Sequence, residues 1–303
     1  MTYRVISAER DAGKGYTARG RPLDWALEEC EAIVTSNELI RVINWYPVAF
    51  HKVSDTYRMV MPFSVAGDKN PLINSVTGKW VGKFIPFALR SFPFSIRQQR
   101  AGSLMSSSLM ISEAAEGNFC KGNKQAVLDI DGKATALHDK LLAAFDRWNL
   151  VVKQDEARIA AVAALDLLVP WSLKLGLPDT KNIREDLYQI DVSRLDALDP
   201  IDAGRILAGG GGRLVYGQIH SQARLKMPAL LRQRLEGLES NSRSENKGPK
   251  MNDQIDVDGI LQRHRSSDPE QDLAPKQDDD VVNIASDEGD FDLSAFVDAK
   301  KSD

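Results

Sequence analysis

From Trp45 to about residue 111, apolar and polar positions alternate in short blocks broken by turn residues. YPVAFHKV (46–53), TYRMVMPFSV (56–65), GKWVGKF (78–84) and FPFSIRQQR (92–100) have the β-branched and aromatic content of strands. Ser54-Asp55, Gly67-Asp68, Asn70-Pro71 and Thr77-Gly78 separate them, and LMISEA from Leu109 closes the series. A helical repeat then takes over. Behind Thr135, an N-cap residue type, the stripe runs Leu137, Leu141, Leu142, Phe145, Trp148, Val152, Ile159, Val162 and Ala163. No Gly or Pro interrupts residues 134–169, so the pattern predicts one helix of about 50 Å at 1.5 Å per residue, or else two shorter ones, ended by Pro170.

Beyond that helix, WSLKLGL (171–177) and EDLYQI (185–190) read as a hairpin around PDTKN. Asp199-Pro200 caps a short helix, Ile201–Leu207, which the glycines at 209–212 stop. Arg213–Glu236 resumes as a helix, with Pro228 kinking it or starting a new segment. At the other end, residues 1–36 hold a strand at Tyr3–Ser7, a loop of Gly and Arg, and a helix from Pro22. The expected class is α+β: an aromatic-rich, mainly antiparallel sheet in the N-terminal half, packed by a long helix and C-terminal helices. Three segments follow: an N-terminal extension (1–36), the main domain (37–237) and an acidic tail (238–303).

Charge sharpens the last boundary. Residues 251–303 carry 15 Asp/Glu against 5 Lys/Arg, while residues 1–250 carry 34 bases against 28 acids. Low hydrophobicity with high net charge predicts a disordered tail. One island inside it, DFDLSAFVD (290–298), places Leu293, Phe296 and Val297 on one side of a helical turn, with Phe291 beside them. Such a segment folds against a partner's groove or covers this protein's own basic body, or it is simply a solubilising end. The basic body raises the question of nucleic acid, through Arg213, Arg224, Lys226, Arg232 and Arg234. These do not share one helical face, and a surplus of six charges over 250 residues is mild. Nucleic acid ranks last.

No segment reaches the ~20 apolar residues that a membrane span needs. The N-terminal 20 residues lack the apolar core of a signal peptide, and Cys30 and Cys120 show no disulfide spacing, so a cytoplasmic location is expected. GKGYTARG (13–20) is not a P-loop, and Asp129-Ile-Asp131-Gly132 lacks the Gly and Glu of an EF-hand, so it reads as a turn. His51, His138, His220 and His264 form no zinc pattern, and no nucleophile elbow appears. No metal or cofactor is expected, and no catalytic residue is assigned. Ten of the 21 aromatics lie between Trp45 and Phe94, where they fill a core or line a binding face. If a ligand site exists, the candidates are Trp45 and Trp80 with Arg90 and Arg97, whose guanidinium forks suit an anion.

An ordered series of motifs resembles the SapC family. Tyr46-Pro47-Val48-Ala49-Phe50 is similar to the strand that opens it. Trp80, Phe84-Ile85-Pro86, Arg90 and Phe92-Pro93-Phe94 resemble its W…YxPxxxRxxPF segment. Asp131-Gly132, the long helix, Leu187–Asp191, Leu195–Leu198 and a closing helix with Tyr216, Gln218 and Ser221 resemble its second half. The resemblance covers roughly residues 40–236. Ala134 departs from the family's usual Pro, and the four-glycine run is looser than its helix joint. The family is named from a bacterial surface-layer locus. The resemblance therefore implies a non-catalytic accessory protein acting through protein partners in surface-structure or nutrient-uptake pathways. A small-molecule binder or enzyme using the aromatic residues and arginines is the alternative.

Overall fold

The computed structural model describes residues 1–17, 23–64, 69–101, 104–122, 125–171 and 186–226. Its first part carries β1 (Tyr3–Val5), α1 (Ala8–Asp11), β2 (Lys14–Tyr16), β3 (Glu31–Ile33) and α2 (Leu39–Ile43). Next come β4 (Ala49–Val53), β5 (Thr56–Pro62), α3 (Phe87–Arg90), β6 (Phe94–Ala101), β7 (Leu104–Ser112) and β8 (Phe119–Lys121). The long α4 (Ala136–Ala163) leads to β9 (Leu168–Pro170), β10 (Leu187–Ile190), α5 (Val192–Asp196), α6 (Pro200–Ala208) and α7 (Gly212–Ser221). The class is α+β. Among the described residues the strands form a five-stranded sheet ordered β3-β5-β4-β10-β9, a three-stranded sheet β1-β7-β6 and a pair β2-β8, with antiparallel registers throughout.

The strands expected at 46–53, 56–65, 92–100 and 185–190 are present as β4, β5, β6 and β10. GKWVGKF is not one of them. It runs as a loop with a single bridge, Ile73 to Trp80, because Asn74 Oδ1 takes the amides of Val76 and Thr77 and Gly78 turns with φ +65°. The helix expected from Pro22 is replaced by one 3-10 turn at Asp24–Ala26, and Ile33 belongs to β3, paired with Val60.

The segment 1–36 is woven into the body. β1 pairs with β7, β2 with β8, and β3 forms one edge of the five-stranded sheet. Arg4 grips the fully buried Asp11 through both Nη atoms at 2.8 and 2.9 Å, and the Ser7 amide donates to the same carboxylate at 3.0 Å.

α4 begins where expected, with Thr135 accepting from the His138 amide, but it stops at Ala163. Asp166 takes φ 54°, which turns the chain, and Leu168–Pro170 becomes an edge strand against β10. An edge is where a proline, lacking an N–H, fits a sheet. The partner expected for EDLYQI, WSLKLGL, falls mostly on 172–185, outside the described residues. Asp199 caps α6 as expected, its carboxylate taking the amides of Ile201 and Asp202. α7 is shorter than the pattern suggested, and residues 227–303, with the whole acidic tail, lie outside the described residues.

Two large hydrophobic cores result, beside a smaller cluster of Ala49, Val60, Trp171 and Leu187. One gathers Tyr46, Phe50, Met59, Met61, Phe63 and Leu72 under the five-stranded sheet. The other holds Tyr16, Phe94, Leu109, Ile111 and Phe119 beneath the smaller sheets. α4 serves both, with Leu141 and Phe145 in the second and Ile159 and Val162 in the first. α3 straddles them too, since Phe87 packs against the second and Leu89 is buried in the first. α7 locks the end of the sheet. Ser221 accepts from the Val48 amide at 2.9 Å, and Gln218 takes the Ile190 amide at 3.1 Å.

Candidate functional site

Between the two cores runs a polar seam, and it starts from a local sequence device. Thr35-Ser36-Asn37-Glu38 is the turn that leads into α2: Glu38 folds back so that its Oε2 accepts from the Thr35 amide at 3.2 Å and from its hydroxyl at 3.0 Å. Glu38 Oε1 reaches across and accepts from the Phe87 amide at 2.7 Å, the first amide of α3. A second buried carboxylate, Asp155 on α4, accepts from the Ser36 amide at 2.7 Å. Arg158, one turn on, donates to Asp155 at 2.8 Å and to the Ser36 hydroxyl at 3.5 Å. Glu38 and Asp155 are only 4% and 3% exposed, so these bonds are what makes their burial tolerable.

Around the Phe87 ring the seam turns aromatic. Phe145 meets it edge-on at 5.3 Å, and Trp148 leans over it at 5.5 Å. The Arg90 guanidinium stands 5.8 Å from the same ring. Both Arg90 Nε and Trp148 Nε1 are buried without a hydrogen-bond partner. Arg4, Arg58 and Arg158 each hold a carboxylate at 2.7–2.8 Å. Arg90 holds none among the described residues.

The four residues nominated from sequence are divided. Trp45 and Trp80 pack against the first core, with Lys83 Nζ 5.7 Å from the Trp45 ring and Trp80 edge-on to Phe63 at 6.3 Å. Arg90 lies in the seam. Arg97 is exposed on β6, opposite Ser108. The other nominated set, Phe291, Leu293, Phe296 and Val297, lies outside the described residues.

Near Trp80 the backbone of Gly82 presses on Tyr46. A Cβ there would stand 1.8 Å from the Tyr46 hydroxyl and 2.8 Å from Trp80 Nε1. Burial pushes the Tyr46 phenol up to about 12, against the pull of the Phe84 amide, the Trp80 indole and the Lys83 amide. None of these donors closes on the hydroxyl with good hydrogen-bond geometry.

His51 sits between two acids, Nδ1 2.6 Å from Glu31 and Nε2 3.0 Å from Asp186, and so ties β3, β4 and the approach to β10. Cys30 and Cys120 are free thiols, and among the described residues no group of three or more His, Cys, Asp or Glu is placed to hold a metal ion. No helix among them is long and apolar enough to cross a membrane. Asp129 accepts from the amides of Asp131 and Lys133, forming the turn that the Asp-Gly pair suggested.

Sequence reasoning missed Glu38, Phe87, Trp148 and Asp155. The T-x-x-E spacing at 35–38 was a usable signal for Glu38. Asp155-x-x-Arg158 was another, as an i,i+3 pair. The shared approach of Arg90 and Trp148 to the Phe87 ring left none, since 58 positions separate them. Set against known proteins, residues 17–227 match the family model of SapC. No curated protein and no solved structure matches the chain.

Proposed function

The chain belongs to the SapC family, and from that premise we propose a non-catalytic accessory protein of surface-structure or nutrient-uptake pathways, acting in the cytoplasm through protein partners. The observation that carries this reading is how the buried ionisable groups are engaged. Asp11 ties β1 to α1, Glu38 joins the start of α3 to the turn before α2, and Asp155 fastens α4 to that same turn. Each holds architecture together. The capture element is the 290–298 stretch, where Phe291, Leu293, Phe296 and Val297 supply the apolar contact and the flanking acids steer it toward a basic partner surface. The test is affinity capture from cell extract with the full chain and with a Phe291→Ala/Phe296→Ala variant, read by mass spectrometry. The reading expects specific proteins with the wild type that the variant loses. Identical profiles at low salt, or turnover of a defined metabolite lost on Arg90→Ala, would overturn it.

A second reading, a small-molecule binder or an enzyme at an aromatic and arginine site, is favoured by one observation. Arg90 and Trp148 keep buried N–H groups without partners beside a shared ring.

A further inference from the structure

We propose that Arg90, Phe87 and Trp148 form a binding site for a carboxylate carried on an apolar or aromatic group. The proposal rests on the second reading above and names the ligand class.

A buried N–H without an acceptor costs about 1–3 kcal/mol. Two of them, on different elements but both against the Phe87 ring, mark Arg90 and Trp148 as polar groups that the fold leaves unbonded there. Arg90 sets the charge of an acceptor placed there. It is half-buried, and no carboxylate pairs with it among the described residues. Its Nη end reaches solvent, because only Nε is both enclosed and unbonded. An approaching anion therefore meets the open side of a planar fork already oriented against Phe87.

Phosphate and carboxylate both suit such a fork. The surroundings separate them. A phosphate is favoured where the amides of a helix start are open, yet here the Phe87 amide is taken by Glu38 at 2.7 Å. The Glu38 carboxylate also brings a negative charge beside that helix start, which disfavours a dianion more than a monoanion. Phe87 and Trp148 then supply apolar surface for whatever carries the acid. A monoanionic carboxylate next to an aliphatic or aromatic body fits all three residues.

That chemistry has two sources. One is a free small carboxylate. The other is this chain's own Asp290–Asp298 stretch, where acids alternate with Phe291 and Phe296. From Lys226 to Phe291 the sequence runs 65 residues, so the length of chain does not forbid it.

The test titrates the full chain with phenylacetate, 2-phenylethanol and inorganic phosphate, followed by calorimetry and by indole N–H resonances. Phenylacetate is expected to saturate and to shift one indole signal, while the neutral alcohol does not saturate. Arg90→Ala should weaken phenylacetate binding at least tenfold. Arg90→Lys, which keeps the charge and guards against a folding defect, should weaken it severalfold. Trp148→Phe should abolish the shifted signal. If the tail supplies the acid, Phe291→Ala/Phe296→Ala should bind phenylacetate severalfold more tightly than wild type; equal affinity assigns the site to a free carboxylate. Equal binding of acid and alcohol, or an Arg90→Ala variant that binds phenylacetate like wild type, overturns the proposal. Phosphate binding that needs Arg90, with no phenylacetate binding in any variant, removes the carboxylate assignment but leaves the second reading standing. Binding of neither probe to wild type or to the tail variant removes both.

Discussion

Glu38 accepts the Phe87 amide at 2.7 Å while its other oxygen holds Thr35, so one carboxylate ties the first amide of α3 to the turn that leads into α2. Neither helix is long. α2 has five residues and α3 four, too few to persist without tertiary support. The Glu38 side chain supplies part of that support.

Replacing Glu38 by Ala strands the amides of Thr35 and Phe87 in a buried place. The expected loss is about 2–4 kcal/mol, from two charge-assisted bonds and the orphaned donors they leave. Glu38→Gln keeps an acceptor for one amide and should lose about half as much. Urea denaturation of both variants measures this, and a loss below about 0.5 kcal/mol for Ala would contradict the capping account.

The Arg4–Asp11 pair sets an acid limit on the N-terminal strand. Burial alone would raise the Asp11 carboxyl, but the Arg4 fork, the Ser7 amide and Lys14 hold it below the ordinary carboxylate range. A depressed folded value means the stabilisation is present above the unfolded pKa of about 3.9 and is lost as pH falls through the folded value. Arg4→Ala should cost about 3–5 kcal/mol at neutral pH by leaving a buried unpaired charge. Arg4→Met/Asp11→Leu should recover much of that loss and flatten stability below pH 4. Denaturation series from pH 2 to 7 test both, and a double variant no better than Arg4→Ala would refute the pairing argument.

Tyr46 sets the alkaline limit. Its phenol is pushed up to about 12, mainly by burial, so the neutral form is favoured in the fold. The stabilisation is full below the unfolded value of about 10 and is lost as pH rises from there through 12. At pH 11 wild type should therefore have lost about 1.4 kcal/mol that Tyr46→Phe retains. Guanidinium titrations of the two proteins at pH 9 and 11 give the comparison; parallel losses would show that Tyr46 does not control the alkaline side.

Gly82→Ala should be costly for a reason that can be removed. The added Cβ would stand 1.8 Å from the Tyr46 hydroxyl, so the expected cost is about 1–3 kcal/mol. In a Tyr46→Phe background that cost should shrink without vanishing, because Trp80 Nε1 at 2.8 Å still crowds the site. A double-mutant cycle reads the coupling, and additive effects would mean the hydroxyl is not what the glycine accommodates.

Strands β4, β5, β6 and β10 were legible because alternation persisted over several residues and turn residues bounded it. The cap residues Thr135 and Asp199 were legible because capping is a local matter. β2, β3, β8 and β9 have three residues each, too few to show a period, and long-range pairing creates them; β1, as short, lies inside the strand expected at Tyr3–Ser7. Leu168–Pro170 was absorbed into a helical stripe because an apolar run does not reveal the turn at Asp166. Arg90 was named for its chemistry, but its neighbours Phe87 and Trp148 are set by the packing of α3 on α4. That packing is non-local, and no spacing encodes it.

α3 places Phe87 in one core and Leu89 in the other within a single helical turn. Neither core can loosen there without pulling on its neighbour. Heat and denaturant should therefore meet one cooperative unit, with a calorimetric enthalpy equal to the van't Hoff value and slow amide exchange at Phe145 and Ile159 governed by the same opening event. A ligand seated on Arg90 would bear on the hinge line of that unit, and its binding energy would be felt as protection of both halves at once.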